Sequence, residues 1–452
     1  MVVAIAFLME QLDSTIITTA IPDMACSLAT TPVQMNLAVT AYVLTLAVFI
    51  PLSGWLADRF GARRIFILAL AIFTIGSVLC GMAGTFAVLV ATRVMQGIGG
   101  AMMTPVGRLI LLRSFPRAEI VTAMTYITLP AILGPLIGPL LGGILTTYLS
   151  WRWIFYVNLP FGLIGISLSM RFIQEEHGNA TLKFDFPGFL MVGSGVALFQ
   201  VGMDNIGRPA LSVPEIVGLL VAAMALLVGF SRYARRITSP VVDLSLFKQR
   251  SFSVGTLAGG ICRIAMNGTP FLLPLMLQVG FGMSPVASGF LVLFGSAGAL
   301  LARTVISPLL RWFGFGKVLI GTAVLGATIL AGFALLEPDT SRWLIGVFVF
   351  IFGLIRATQF MTSSMLSYAD TSDARLSQAT SLFSVFQQLT VSVGVSLSAM
   401  LLGITSPHNQ VLTPAHFHIV FLLTAILPLL AVPSFLRLRP EDGAQVRRYR
   451  CK

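Results

Sequence analysis

The sequence predicts an all-α polytopic membrane protein, built as two six-helix bundles with two additional central helices. Three observations carry this reading. Hydrophobic residues make up 56% of the chain and charged residues only 10%, with a mean hydropathy of +0.91, a balance typical of integral membrane proteins. Fourteen apolar stretches can be counted, each near the ~20 residues a helix needs to cross the hydrocarbon layer. The basic residues, finally, are segregated to alternate connections, as the positive-inside rule requires.

In chain order the apolar stretches are 1–22, 33–56, 65–84, 86–112, 120–148, 153–173, 186–204, 213–233, 252–279, 285–310, 317–336, 342–367, 378–404 and 416–436. The connections are short and leave no room for a soluble domain. Six stretches precede the polar segment 174–183, a pair follows, and six more come after the second polar break, Arg232–Arg250. The units are therefore an N-terminal bundle (1–173), two inserted helices with flanking loops (174–250), a C-terminal bundle (251–436) and a basic tail (437–452). The inserted pair is expected at the periphery, with Gln200 and Asp204 as its main polar residues.

A cytoplasmic N-terminus puts most of the 29 Lys+Arg on the inner side, including Arg59, Arg63, Arg64, Arg113, Arg117, Arg232, Arg235, Arg236 and the tail from Arg437. Only Arg152, Arg208 and Arg342 fall in or beside outer loops. Both termini are thus expected in the cytoplasm. The net charge of +12 reports topology, with a secondary attraction to anionic lipid, and nucleic-acid binding is not supported. Met1 opens almost directly into the first stretch, which predicts a short cytoplasmic lead upstream. Met24-Ala-Cys26 is similar to a lipoprotein cleavage site, but no basic region precedes it and Asp13 interrupts the apolar run, so a signal peptide is rejected. Cys26, Cys80, Cys262 and Cys451 lack metal spacing, and Cys80 and Cys262 read as small core residues. His416 and His418 stand two apart without further ligands, so neither a metal nor another cofactor is expected.

Asp13 lies in the middle of the first stretch, where a carboxylate costs on the order of 2.5–3.5 kcal/mol. Glu10 stands one helical turn before it, on the same face. In the fourth stretch Arg93 and Gln96 are again one turn apart. An intramembrane arginine needs a partner, and Asp13 and Glu10 are the acids available in the same bundle. The cluster either exchanges a proton or fixes helix register as a static ion pair. The glycines that follow, Gly97, Gly99 and Gly100, do not form a dinucleotide site, because no strand precedes them.

The loop after the second stretch reads Gly54-Trp-Leu-Ala-Asp58-Arg59-Phe-Gly61-Ala-Arg63-Arg64. Gly54 allows close helix approach and Gly61 a tight turn, while Asp58 can cap a helix or pair with a neighbouring base as a latch. Arg311-Trp-Phe-Gly314-Phe-Gly316-Lys317 is a faint second copy that has lost the aspartate, so any gate there is asymmetric. In the fifth stretch Gly134, Gly138 and Gly142 recur every four residues, with Gly143, Pro135 and Pro139 among them. The glycines give one small packing face, and each proline removes a helical hydrogen bond and bends the helix.

The first of these loops resembles the signature loop of the major facilitator superfamily, and the Gly134–Gly143 string resembles the antiporter motif of its exporters. Leu12-Asp13-Ser-Thr-Ile-Ile-Thr-Thr-Ala-Ile21-Pro22 is similar to the first-helix signature of the fourteen-span drug:proton antiporters of EmrB/QacA type. Trp151-Arg-Trp153-Ile-Phe-Tyr-Val-Asn158-Leu-Pro160-Phe-Gly162 resembles their entry to the sixth span. Within that family, the runs Gly99–Arg108 and Met124–Pro130 are most similar to MdtD-like members. The resemblance implies a major facilitator fold in a bacterial inner membrane, driven by the proton gradient without a cofactor. It implies Asp13 as the coupling or substrate carboxylate, Arg93 as its relay partner, and Gly134–Gly143 as the antiport helix. Glu10 is an acid where similar proteins often carry an amide, which changes the charge preference or the proton count and leaves open whether Asp13, Glu10 or both carry the proton. Export could proceed with or without a periplasmic adaptor.

The C-terminal half carries fewer signals. Arg263, Arg303 and Arg356 fall within apolar stretches, with Gln359, Gln387 and Gln388 polar but uncharged. Arg263 and Arg303 either snorkel to an interface or line a cavity, and Arg356-Ala-Thr-Gln359 is deeper. Asn267-Gly-Thr269 is a glycosylation sequon only on paper, being inside a span. The expected activity is proton-coupled export of amphipathic or cationic small molecules by alternating access. Two acids in a low-dielectric cavity disfavour simultaneous ionisation, so one can exchange its proton for substrate. The 33 Phe and 19 Met supply an adaptable apolar lining, although most face lipid or core. Narrow export of a metabolite or organic anion, bound by the intramembrane arginines, is the alternative. A non-transporting sensor wants an appended signalling domain. An enzyme wants a His/Asp, Ser/His or metal constellation at depth, and all four His lie in or next to loops.

Overall fold

A computed structural model describes residues 2–30, 32–115, 119, 134, 137–138, 141–175, 178, 184–206, 211–237, 240–283, 285–405, 413–439 and 441–443. Every extended element among them is helical, because a backbone in lipid must satisfy its own hydrogen bonds. The helices are α1 (Val2–Ser27), α2 (Pro32–Phe60), α3 (Ala62–Gly81), α4 (Phe86–Ser114), α5 (Trp153–Phe172), α6 (Phe186–Asp204), α7 (Val213–Ala234), α8 (Arg250–Gly280), α9 (Pro285–Phe333), α10 (Arg342–Ala369), α11 (Leu376–Thr405) and α12 (Pro414–Leu436). Eleven helices among the described residues are long and apolar enough to cross a membrane.

The helices mostly outrun the apolar stretches that predict them, since a spanning helix continues into its polar flanks. The range α9 comprises two helices, those of the tenth and eleventh stretches, which meet at a kink at Gly314 (φ 74°). Gly61, at the matching place in the first half, also has a positive φ of 91°, a conformation that glycine adopts without strain. The faint repeat is thus real at the level of the backbone. The ninth stretch is interrupted by π-helical turns at Val254–Ala258 and Met276–Gly280. Of the fifth stretch, helix is described at 134, 137–138 and 141–148, and Pro135 and Pro139 lie outside the described residues.

The inserted pair packs on itself, with α6 against α2 and α11 and α7 exposing Val213, Val217, Val221 and Met224. Asp185 ties the pair together. It caps α6 through Gly188 N (2.9 Å) and accepts from Tyr233 Oη (2.9 Å) on α7 and Val241 N (3.1 Å) beyond it. Gln200 is buried, and the side chain of Asp204 lies outside the described set.

The apolar core explains where a site can form. One large cluster joins both halves at the end bearing Asp58, from Phe7, Phe66 and Leu109 to Phe315, Leu366 and Phe383. At the opposite end the core separates into an N-half cluster around Ile16, Met24, Leu89 and Phe155 and a C-half cluster around Leu272, Phe333 and Phe421. Asp13 lies in sequence between the two N-half clusters, and Arg263 between the two C-half clusters. The polar groups of both halves therefore collect where the core divides.

Candidate functional site

Asp13 and Arg93 are the centre of the N-half site, each only 1% exposed. Arg93 Nη1 donates to Asp13 Oδ2 at 2.7 Å. Gln96 Nε2 and Asn158 Nδ2 donate to Asp13 Oδ1 at 2.8 and 3.2 Å. Asn158 is braced in turn by Ser77 (3.0 Å), whose hydroxyl donates to the Phe155 carbonyl at 2.9 Å. Arg93 also donates to Gln96 Oε1 at 2.7 Å and stacks 4.4 Å from the Tyr42 ring centroid. A buried ion pair tolerates its loss of hydration only with such additional hydrogen bonds. Asp13 is therefore a carboxylate held by three donors.

Glu10 is placed differently. It is half-buried and accepts a hydrogen bond from Thr104 Oγ1 on α4. The sequence expectation that either acid would meet Arg93 resolves in favour of Asp13. Gly97, Gly99 and Gly100 let α4 press against its neighbours: a Cβ on Gly97 would meet Thr45 Cβ at 2.8 Å and one on Gly99 would meet Ala69 O at 2.8 Å. Gly134 and Gly138 face α1 at Gln11 and Thr15, and Thr15 Oγ1 donates to the Gly134 carbonyl at 3.2 Å. Gly142 is buried, whereas Gly143 borders open space.

At the closed end, Gly54 lets α2 touch α11, since a Cβ there would lie 2.9 Å from the Ser377 carbonyl. Asp58 pairs with Arg113 at 3.4 Å and accepts from Ser377 Oγ. Ser381 Oγ donates to the Ile50 carbonyl at 2.9 Å. Arg59 lies 6.0 Å from the Trp55 ring centroid. Arg63 and Arg64 reach Glu175 after α5, so they bind within the first half and not across the gap.

Sequence reasoning missed Arg108 as a bridging group. It is buried on α4 and donates to Tyr368 Oη (3.1 Å), Ser384 Oγ (3.4 Å) and Gln387 Oε1 (3.3 Å), all in the second half. Arg263 does not snorkel: it is 3% exposed and donates to Ser363 Oγ at 3.1 Å. Arg356 is half-buried and donates to Asn267 Oδ1 at 3.2 Å. Gln359 accepts from Thr322 beside them. His418 bonds the Leu336 carbonyl and His416 caps α12 through Thr413. No group of acids, Cys and His able to hold a metal occurs among the described residues.

Comparison with known proteins agrees with this architecture. The Major Facilitator Superfamily model matches residues 3–394. A protein of Pectobacterium atrosepticum named "Putative multidrug resistance protein MdtD" is 39% identical, over 98% of this chain and 96% of its own. Its namesake in Serratia proteamaculans is 38% identical over 98% and 93%. Among solved structures, the human organic anion transporter MFSD10 matches with a TM-score of 0.65 at 14% identity, over 96% of this chain and 98% of that one. The proton:xylose symporter XylE matches with a TM-score of 0.67 at 14% identity, over 98% and 95%.

Proposed function

Because the chain belongs to the major facilitator superfamily, whose members here are transporters and not enzymes, we propose that it is a proton-coupled exporter alternating access between two six-helix bundles. The observation that carries this reading is the Asp13–Arg93 pair beside the half-buried Glu10, on a helix seated against Gly134 and Gly138. A fourteen-span arrangement accommodates the helices: α9 counts twice across Gly314, and the 120–148 stretch supplies one more. With the basic loops on the cytoplasmic side of a bacterial inner membrane, the closed end faces the cytoplasm and the divided core faces outward.

In this cycle Glu10 and Asp13 exchange protons, and Arg93 and Gln96 hold Asp13 in place. Substrate enters from the cytoplasmic side against a deprotonated acid, and outside protons displace it. The loop from Gly54 to Arg64 acts as the cytoplasmic latch and the Gly134–Gly143 helix as the element that couples α1 to the rest of the bundle. Amphipathic or cationic molecules suit the acids, in keeping with the multidrug resistance named for the relatives. The test is uptake of a cationic dye into everted vesicles under an imposed proton gradient. Dye accumulation that collapses with a protonophore is expected, and accumulation indifferent to the gradient would sink proton coupling.

A second substrate reading, narrow export of an organic anion, is favoured by Arg108, Arg263 and Arg356, none of which forms an ion pair among the described residues. MFSD10, one of the structural neighbours, is an organic anion transporter.

A further inference from the structure

We infer that the second half contains a built binding site for an aromatic or amphipathic carboxylate, held between Arg263 and Arg356. The inference rests on the second substrate reading and deepens it by assigning the residues. Arg263 and Asn267 lie one turn apart on α8, and Arg356, Phe360 and Ser363 lie on one face of α10. The two faces meet: Arg263 bonds Ser363, Arg356 bonds Asn267, and a Cβ on Gly259 would meet Ser363 Cβ at 2.7 Å. Both guanidiniums stand over the same ring, 5.4 and 5.3 Å from the Phe360 centroid. A second ring, Phe383, lies 4.7 Å from Arg263 and 5.4 Å from Arg108. Three cations and two aromatic rings thus form one chain across the divide between the halves.

Unused hydrogen-bond donors gather here. Arg263 Nη1, Arg356 Nε and Asn267 Nδ2 are buried donors without a partner. Arginine stays charged in proteins, and buried charges are ordinarily paired. In the first half that rule is obeyed by Asp13 opposite Arg93. Among the described residues of the second half, no acid pairs with Arg263 or Arg356. An incoming carboxylate supplies acceptor oxygens to these N–H groups, in the charge-assisted geometry that guanidinium favours. Phe360 and Phe383 supply the apolar wall for the body of the same molecule. A cation, by contrast, would meet repulsion from both guanidiniums.

The probes are carboxyfluorescein and rhodamine 123, an anionic and a cationic dye on the same ring system, bound to the purified full chain in detergent and followed by fluorescence anisotropy. Saturable carboxyfluorescein binding is expected, weakened at least about tenfold in Arg263→Gln and in Arg356→Gln. Arg356→Lys should retain part of the affinity, and rhodamine 123 binding should change by less than about twofold in all three. Arg356 is only half-buried, so its variants carry the test even where Arg263→Gln is not monodisperse. Carboxyfluorescein binding equal to wild type in both Gln variants, or equal loss of both dyes, overturns the assignment. Because binding is read without a proton gradient, it separates the two ideas. Arginine-dependent binding without gradient-driven transport keeps the site and rejects the exporter, and coupled transport unaffected by the arginine variants does the reverse.

Discussion

At the scale of single residues, the two acids of α1 divide into a held carboxylate and a free one. Asp13 receives three donors and is sealed from solvent, whereas Glu10 has one hydroxyl donor and partial exposure. Removing one partner of a buried ion pair strands the other, a loss of about 3–5 kcal/mol. Asp13→Asn should therefore lower thermal stability sharply as well as transport. Glu10→Gln should abolish proton-coupled transport with little change in melting temperature. The pair of unfolding curves and transport rates decides it: equal destabilisation in both variants would remove the division of labour. Asp13, Arg93 and Gln96 are legible in sequence because a charge in an apolar stretch stands out and demands a partner. Asn158 and Ser77 are not, since neutral polar residues near helix ends are common. Arg108 gains its meaning only from the residues of the opposite half that receive it.

At the scale of elements, α1 is positioned by small residues on the neighbouring helix. Gly134 and Gly138 leave no space for a methyl group against Gln11 and Thr15, while Gly143 borders open space. Gly138→Ala must push α1 away from its seat, and overpacking of this kind costs about 1–3 kcal/mol. The predicted result is transport reduced about tenfold or more in Gly138→Ala and near wild type in Gly143→Ala, a contrast expected if the seat and not the glycine content matters. Proton-driven efflux assays on membranes with matched expression measure it, and equal activity in the two variants removes the seat from the mechanism. Helix positions are legible from hydropathy because lipid imposes both length and closure of backbone hydrogen bonds. The kink geometry is less so. Gly314 is readable as a turn only through its likeness to the Gly61 loop, and the π-turns of α8 have no hydropathy signature, because an extra residue in a helical turn does not change composition.

At the scale of the molecule, a core continuous at one end and divided at the other leaves the contacts across the closed end to decide which side is open. Polar contacts across this end add to the apolar core that joins the halves there. Asp58 joins Arg113 to Ser377, Ser381 reaches the α2 carbonyls, and Arg375 joins Asp243 in the segment before α8 at 2.6 Å. The last of these cannot act as a proton switch. Burial pushes the Asp243 carboxyl up, but hydrogen bonds from Ser245 and the Arg375 guanidinium outweigh it and hold the group below its ordinary value. A depressed carboxylate contributes stability above its unfolded value and loses it only as pH falls through the lowered one, so this tether is intact across the physiological range. If the halves rock as proposed, the contact of Asp58 with Ser377 must break. Spin labels at positions 60 and 373, on the two sides of the closed end, should give one short distance in the wild type. Asp58→Asn keeps the shape but weakens the pull on Arg113 and the acceptor for Ser377, so a second, longer population should appear. Mild acidification of the wild type that yields the same population would place the trigger at the intramembrane acids, because Asp243 does not titrate there. A distance distribution unchanged in Asp58→Asn would mean that the apolar core alone holds this end shut, and that Asp58 is a static cap on its own half.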